Sequence, residues 1–156
     1  MDKTNVTRLL DVANIDYNLH CYDSKITDGE TIAKILEEDP EQVFKTLVTV
    51  ANTKEHFVFC IPVNYSLDLK KSASVVKVKS IEMIAQKELL PLTGYIHGGC
   101  SPVGMKKQFK TVFNETAMLF NTICVSAGKV GYQIEVNPDQ LLKYVNASYA
   151  DIIKEK

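Results

Sequence analysis

Residues 43–63 read Val43-Phe-Lys-Thr-Leu-Val-Thr-Val-Ala-Asn-Thr-Lys-Glu-His-Phe-Val-Phe-Cys-Ile-Pro-Val63. Both halves of this segment are rich in β-branched and aromatic residues, the composition typical of strands. Three polar residues, Asn-Thr-Lys at 52–54, separate the halves and suit a short turn. The segment therefore predicts a β-hairpin with strands at residues 43–50 and 55–63.

Helices and further strands flank this hairpin on both sides. Apolar residues at helical spacing, or capping residues at a helix start, predict helices over residues 5–13, after Asp28, over 67–75, over 80–90 and from Asn137. Shorter apolar stretches predict strands at residues 17–22, 94–97, 122–126 and 132–136. The pattern indicates the α+β class, with a mixed, curved central sheet of about six strands surrounded by helices.

Composition and length place the chain among ordinary globular proteins. Its 156 residues, 46% hydrophobic and 24% charged, fit a single domain spanning residues 1–156. The longest apolar runs are too short to cross a bilayer, and no basic and apolar leader precedes the first helix. Four cysteines lie far apart without a C-x-x-C pair, so we expect reduced thiols, a cytoplasmic location and no membrane association.

The charges are unevenly distributed along the chain. A net charge of −1 does not by itself indicate a nucleic-acid-binding protein. Residues 66–110, however, contain eight lysines against three acidic residues, enough for a local patch that could meet phosphates. Most of these lysines are explained equally well as solvated helix faces. Lys106 and Lys107 differ because they directly follow a glycine-containing loop.

Two short loops combine glycines with a serine and a lysine. They read Gly94-Tyr-Ile-His-Gly-Gly-Cys-Ser-Pro-Val-Gly-Met-Lys-Lys107 and Val125-Ser-Ala-Gly-Lys-Val-Gly131. Glycine lets backbone N–H groups approach a ligand that a Cβ would keep away, while serine and lysine add a neutral donor and a positive charge. The loops therefore predict a pocket for an anionic or ester-bearing small group.

Lys45 lies inside the first strand of the hairpin, where an unpaired buried ammonium would be costly. Its side chain either reaches the edge of the sheet, as lysines on edge strands do, or points into a polar cavity. Strand alternation directs Thr46 to the opposite face, so the two residues are not expected to share a pocket unless the backbone bends.

No residue pattern identifies a protein nucleophile, a general base or a metal site. His97 and Cys100 are close in sequence, but no acidic residue lies near to orient the imidazole. His20 with Cys21, and His56, have no partners at the spacing of metal ligands, so we expect no metal site. Ser126 lacks the G-x-S-x-G context of a nucleophile elbow, and it could either bind a ligand or cap its turn.

Four ordered motifs resemble one known family. They are the start of the hairpin (residues 43–48), Leu67-Asp-Leu-Lys-Lys71, the loop from Gly94 to Lys107, and Val125-Ser-Ala-Gly-Lys-Val-Gly-Tyr-Gln-Ile-Glu135. Together they are similar to the YbaK/EbsC group, in the superfamily that includes the editing domain of bacterial prolyl-tRNA synthetases. The resemblance extends from about Thr4 to the end of the chain.

This resemblance implies trans-editing, the hydrolysis of the ester that joins a wrong amino acid, typically cysteine, to tRNA(Pro). Cysteine and proline are close in size, so a synthetase pocket cannot exclude one of them by steric differences alone. In this family the thiol of the substrate itself is thought to attack the ester carbonyl, leaving a thiolactone. The implied partners are the acceptor end of an aminoacyl-tRNA and, as a candidate, prolyl-tRNA synthetase; no cofactor is implied.

The same resemblance implies roles for individual residues. Lys45 would engage the phosphate or ribose of the terminal nucleotide. Gly98 and its neighbour Gly99 would direct amides to the ester carbonyl, and Ser126 would hydrogen-bond the aminoacyl or ribose end. The implied substrate-binding positions are Tyr22, Thr46, Tyr95, Gly99, Ser101 and Gln133. Gln133 is a departure, since the best-studied YbaK type has at this point an acidic residue that can pair with the aminoacyl ammonium.

Two other functions remain compatible with the sequence. One is a non-catalytic module that binds a nucleotide, a tRNA or a synthetase, which the near-neutral charge and Gln133 would suit. The other is a thiol enzyme that uses Cys100, which would be inactivated by the substitution Cys100→Ser.

Overall fold

The computed structural model describes residues 3–155 of the chain. Within this range the α-helices are α1 (Asn5–Val12), α2 (Gly29–Ile35), α3 (Leu69–Val75), α4 (Leu89–Thr93) and α5 (Pro138–Val145). The strands are β1 (Tyr17–Cys21), β2 (Phe44–Ala51), β3 (His56–Pro62), β4 (Ile81–Met83), β5 (Lys110–Asn114), β6 (Ile123–Ser126), β7 (Tyr132–Val136) and β8 (Ser148–Ala150). Short 3₁₀ helices occupy Gln86–Glu88 and Glu115–Leu119.

Helices α2 and α5 begin where the capping residues of the sequence place them. The Asp28 carboxylate accepts a hydrogen bond from the Thr31 N–H at 3.1 Å. The Asn137 side chain accepts from the Gln140 N–H at 3.0 Å, and Pro138 follows it at the first helical position. These caps satisfy N–H groups that have no partner inside the helix, which explains why both starts were predictable from local sequence.

The strands form two sheets, and the prediction of an α+β fold with a mixed sheet is confirmed. The larger sheet has the order β4-β2-β3-β5-β8; the β2–β3 hairpin and β4 are antiparallel, whereas β5 and β8 run parallel to their neighbours. The smaller sheet is antiparallel, with the order β1-β7-β6. A parallel bridge between Val43 and Cys124 links the two sheets at the entrance to β2.

Strand β3 separates two hydrophobic cores, because both of its faces are buried. Val58 and Cys60 belong to the core that also contains α1, α5 and the apolar face of the small sheet. Phe57, Phe59 and Ile61 belong to the second core, against α3. A strand buried on both faces shows a continuous apolar run rather than alternation. This arrangement explains the composition of residues 57–63.

The predicted helix over residues 80–90 is wrong. Ile81–Met83 forms β4 on the edge of β2, and the following residues form the 3₁₀ helix and then α4. The side chain of Asn52 accepts hydrogen bonds from the N–H groups of Lys79 and Ser80, both at 3.1 Å. These bonds, together with the free edge of β2, hold the segment extended, so tertiary pairing overrides its helical periodicity.

The predicted strand at residues 94–97 is also wrong, and two strands were missed. Gly94 adopts φ +86° and ends α4, a conformation that starts a turn and not a strand. Strands β5 and β8 were not predicted. Together with β4 they raise the strand count to eight instead of about six. Both missed strands are short and pair in parallel with distant segments, so the local sequence carries little signal for them.

All four cysteines are free thiols in the structure. Cys60 and Cys124 are buried, and burial raises the pKa of each of these thiols. They therefore pack as small neutral side chains. Within residues 3–155, no helix has the length and apolar composition needed to cross a membrane.

Candidate active site

A cavity of about 440 Å³ lies between the start of β2, the beginning of α2, the glycine loop after α4 and one face of the small sheet. Its size falls in the range of small-molecule sites. Six of the predicted site residues border it: Tyr22, Lys45, Thr46, Gly98, Ser126 and Gln133. They come from five separate segments of the chain, and only the fold brings them together.

The small sheet presents a polar face toward this cavity. Its register pairs His20 with Gln133 and Gln133 with Ser126, so the three residues form one row across β1, β7 and β6. Side chains alternate along a strand, so Ile134 and Val125 face the opposite way, and both are fully buried in the core. One face of the sheet therefore supports the fold while the other supplies polar groups to the cavity.

Lys45 points into the cavity, the second of the two alternatives left open by the sequence. Its side chain is half-buried, and burial lowers the pKa of its ammonium, while the carboxylates of Glu30 and Asp28 partly offset that change. Among residues 3–155 it has no ion-pair or hydrogen-bond partner. A desolvated, unpaired ammonium at a cavity wall is suited to bind an anionic group.

Thr46 also borders the cavity, contrary to the expectation from strand alternation. Residues 43–47 all contribute to the lining. The reason is that β4 pairs with β2 only from Thr49 to Ala51, which leaves the first half of β2 with an open edge. The cavity runs along that edge, so consecutive residues can border it without a bend in the backbone.

The two adjacent glycines of the first loop have different environments. Gly98 borders the cavity with φ +87°, and a Cβ there would lie 3.0 Å from a methyl carbon of Thr27. Gly99 is buried outside the lining, and its N–H donates to the Ile96 carbonyl at 3.0 Å. The Gly98 amide has no partner among residues 3–155 and remains available to a ligand. The expectation that Gly99 also offers its amide is therefore corrected.

Tyr95 and Ser101 support the loop from behind and are not among the residues that border the cavity. The Tyr95 hydroxyl donates to the Val103 carbonyl, and its ring lies beside Gly128. Ser101 is fully buried, and its Oγ accepts from the Val103 N–H at 3.2 Å. Both side chains are used to hold the turn at Val103, so direct contact of either one with a substrate is not supported.

Ser126 caps its turn, one of the two alternatives that its sequence left open, and it also lies at the cavity. Its Oγ accepts from the Gly128 N–H at 3.1 Å, which caps the turn after β6, and the residue also borders the cavity. A hydroxyl that accepts one hydrogen bond still has its own proton to donate. Ser126 can therefore donate to an oxygen atom of a ligand.

His97 and Cys100 also border the cavity, but their chemistry does not favour a protein nucleophile. Burial raises the pKa of the Cys100 thiol to about 12, an effect that a hydrogen bond with Thr93 offsets only in part. At pH 7 such a thiol is ionised to about one part in 10⁵. Among residues 3–155, no carboxylate is hydrogen-bonded to His97, and no group of three or more His, Cys, Asp or Glu could hold a metal ion.

The substitution Cys100→Ser is therefore expected to leave ester hydrolysis within about threefold of the parental rate, a change of under ~0.7 kcal/mol in the barrier. Initial rates with a saturating aminoacyl-tRNA ester, the substrate class that the family resemblance implies, would measure it. A catalytic thiol would behave differently, because removal of a true nucleophile costs on the order of 10⁶ in rate. A loss of that size would show that Cys100 attacks the ester.

Glu38 is the residue of this region that sequence reasoning missed. It follows α2, where its N–H donates to the Ala33 carbonyl at 2.8 Å, and its half-buried carboxylate accepts from the Cys124 thiol at 3.3 Å. With the amide nitrogen of Gln133 facing it, the carboxylate also accepts two bonds at 3.0 and 2.8 Å. No local pattern marks Glu38, because its partners belong to two distant strands.

The lysines that follow the glycine loop, Lys106 and Lys107, are exposed and lie outside the cavity lining. The N–H of Lys106 donates to the Thr93 carbonyl at 2.9 Å, which folds the loop back onto the end of α4. Their ammonium groups are therefore free to meet phosphates outside the cavity but do not take part in it.

Comparison with known proteins relates this chain to a family. The family model of the aminoacyl-tRNA editing domain matches residues 23–144. The chain is 42% identical to EbsC of Enterococcus faecalis (strain ATCC 700802 / V583) over 152 residues, which cover 96% of this chain and 93% of the relative. EbsC is described as a proposed Cys-tRNA(Pro)/Cys-tRNA(Cys) deacylase.

Solved structures share the fold at much lower identity. The hypothetical protein APE2540 superposes with a TM-score of 0.89 at 18% identity, over 97% of this chain and 100% of that one. A proposed trans-editing enzyme for prolyl tRNA synthetase gives 0.83 at 19% identity, over 99% and 100% of the two chains. At these identities the likeness concerns the fold alone. Family membership is shown by the family model, which matches most of the chain, and by the 42% identical relative. The chain belongs to the aminoacyl-tRNA editing domain family.

Proposed function

We propose that this protein is a trans-editing deacylase that hydrolyses the ester of mischarged cysteinyl-tRNA(Pro). The observation that carries the proposal is the convergence of Lys45, Gly98 and Ser126 on one cavity, in a chain of the aminoacyl-tRNA editing family. The relative EbsC carries a name with the same substrate class. The proposal assigns the acceptor end of the tRNA to this cavity.

The charges of the cavity suit the 3′ end of an acylated tRNA. The unpaired ammonium of Lys45 would bind a phosphate or ribose oxygen of the terminal nucleotide. The free N–H of Gly98 and the hydroxyl of Ser126 would then lie on the side of the aminoacyl group. Oriented donors of this kind stabilise negative charge that develops on a carbonyl oxygen, and they need no reorganisation during the reaction.

The attacking group in this mechanism belongs to the substrate. The thiol of the cysteinyl group forms a bond to its own ester carbonyl, the bond from that carbon to the ribose oxygen breaks, and the thiol proton ends on the ribose hydroxyl. The products are uncharged tRNA and a cysteine thiolactone, which water then opens to free cysteine, so that the net reaction is hydrolysis of the ester. The role of the protein is to hold thiol and carbonyl close together, which makes an intramolecular attack efficient, and to stabilise the oxyanion.

A panel of mischarged tRNAs tests this function. The purified protein should release cysteine from cysteinyl-tRNA(Pro) at least ~100-fold faster than serine from seryl-tRNA(Pro). The reason is that only the cysteinyl group carries a thiol, an efficient internal nucleophile. Release is measured as loss of acid-precipitable label. Saturable tRNA binding without release of any amino acid would instead support a non-catalytic binding module and contradict the proposal.

The proposal extends to the cellular setting. Charged tRNAs are made and used in the cytoplasm, so we assign the protein to that compartment. A fold neighbour described as a proposed trans-editing enzyme for prolyl tRNA synthetase makes that synthetase a candidate partner. Co-sedimentation of the purified protein with prolyl-tRNA synthetase, with and without tRNA(Pro), measures this association directly.

A further inference from the structure

We infer that Glu38, through its contact with Gln133, makes the cavity selective for esters that carry a free α-ammonium group. This inference rests on the proposed deacylase function, which supplies such a substrate. Glu38 itself does not border the cavity, whereas Gln133 does. Glu38 is therefore a positioning residue that acts through another side chain.

The side-chain amide of Gln133 is held in one orientation by Glu38. This side chain is only 4% exposed, and a buried amide needs partners for its polar atoms. Its nitrogen is taken by Glu38, with both carboxylate oxygens within 3.0 Å. With the nitrogen held on that side, the carbonyl oxygen lies on the opposite side of the amide, and we assign to it the contact that Gln133, a residue bordering the cavity, makes with a ligand. A carbonyl oxygen can only accept hydrogen bonds, so the group it recognises is a donor.

The Glu38 carboxylate places a negative charge next to the amide of Gln133. The Glu38 carboxylate has two side-chain partners, the Cys124 thiol and the Gln133 amide, and both donate hydrogen bonds to it. Burial raises the pKa of this carboxyl, and the hydrogen bonds from Cys124 and Gln133 partly offset that change because they stabilise the charged form. Half-burial leaves its charge weakly screened. The negative charge polarises the amide and favours a cationic donor at its carbonyl end.

Glu135, the carboxylate of β7 on the same face of the sheet, already has a hydrogen-bond partner at each oxygen. One of its oxygens lies 2.9 Å from Nε2 of His20, and the other accepts from the Thr122 hydroxyl at 2.5 Å. It therefore has little capacity left for a ligand.

Asp28 borders the cavity, but its Oδ2 accepts from the N–H and the hydroxyl of Thr31 at the start of α2. Glu38 reaches the cavity through Gln133, and the α-ammonium of an aminoacyl ester is a cationic donor of suitable size.

The test compares two tRNA(Pro) esters that both contain the reactive thiol. One is cysteinyl-tRNA(Pro), and the other is the 3-mercaptopropionyl ester, which lacks only the amino group. Glu38→Gln keeps an acceptor for the Gln133 amide but removes the charge. It should lower kcat/KM for the cysteinyl ester about tenfold, the usual scale of one charge-assisted hydrogen bond, and leave the desamino ester nearly unchanged.

Two further variants separate this role from a merely structural one. Glu37→Gln removes the same charge one residue earlier, from an exposed side chain, and should leave both esters unaffected. Combining Glu38→Gln with Gln133→Glu returns one negative charge to the pair with donor and acceptor exchanged. That double variant should recover the preference for the cysteinyl ester.

The outcomes distinguish the inference from the function on which it rests. If the parental protein cleaved neither ester, the proposed deacylase function would fail and the inference with it. If the parental protein cleaved both esters, and Glu38→Gln slowed them equally or slowed neither, the function would stand and the inference would be overturned. The double variant gives a further test. If it cleaved the desamino ester but its kcat/KM for the cysteinyl ester stayed as low as that of Glu38→Gln, the inference would also be overturned.

Discussion

Replacing Lys45 with alanine is expected to lower deacylation of cysteinyl-tRNA(Pro) by a factor of about 10²–10³, the effect of losing one well-placed electrostatic contact with the reacting substrate. The ammonium lies at the cavity wall without an ion pair or hydrogen bond to any other residue from 3 to 155. Its charge is therefore available to the substrate. Single-turnover rates at several enzyme concentrations would show whether binding or the chemical step is lost.

The fold should tolerate this substitution. Burial lowers the pKa of Lys45, so at neutral pH its charge is unfavourable in the folded state, and alanine removes that cost together with some packing of the side-chain stem. We expect Tm to change by less than about 3 °C, under ~1 kcal/mol for a chain of this size. Lys110→Ala, on an exposed position of β5 outside the cavity, is the matched control and should keep the parental rate. Near-parental activity of Lys45→Ala would remove Lys45 from the mechanism.

Replacing Gly128 with alanine is expected to destabilise the protein by about 3 kcal/mol, from backbone strain and overpacking together. Gly128 adopts φ +87°, which L-residues avoid. A Cβ would also lie 2.8 Å from Cγ2 of Val6 and 3.0 Å from the ring of Tyr95, and Val6 is fully buried. For this chain length the loss corresponds to a fall in Tm of about 6–12 °C, measurable by thermal unfolding.

A second glycine separates the two contributions. Gly94 has nearly the same φ, +86°, but the neighbours of its Cβ would be atoms of the flexible Lys106 side chain, the nearest at 3.3 Å. Gly94→Ala should therefore cost only the strain, about 1–2 kcal/mol. Equal losses for the two variants would show that packing around Gly128 contributes nothing, and that the loop relaxes to accept the methyl group.

Gly128 also shows where prediction from sequence reached its limit. The sequence indicated that the glycines of both loops expose amides to a ligand, and this holds for Gly98, which borders the cavity. Gly128 and Gly99 are required for another reason: α1 packs on the first, and Val130 packs on the second. A glycine needed for close packing and a glycine needed for ligand binding have the same local sequence signal. Only the neighbours distinguish them.

Local signals gave most of the secondary structure correctly. Capping at Asp28 and Asn137 and the strand composition of the hairpin depend on contacts within a few residues, so they are visible in the chain itself. The short strand β4 was misassigned because its state depends on the open edge of β2, which lies far away in sequence. The strands β5 and β8 were missed for the same reason, since each needs a distant parallel neighbour.

The chain itself was sufficient to specify the α+β class and the editing-family motifs, and to select Lys45, Gly98 and Ser126, which all border the cavity. Residue types and their order carry that information, because they reflect backbone preferences and local chemistry. Tertiary structure alone decided that Lys45 faces a cavity, that Tyr95, Gly99 and Ser101 stand behind it, and that Glu38 meets Gln133. These outcomes depend on burial and hydrogen bonding between segments that only the folded core brings together, and no single segment contains them.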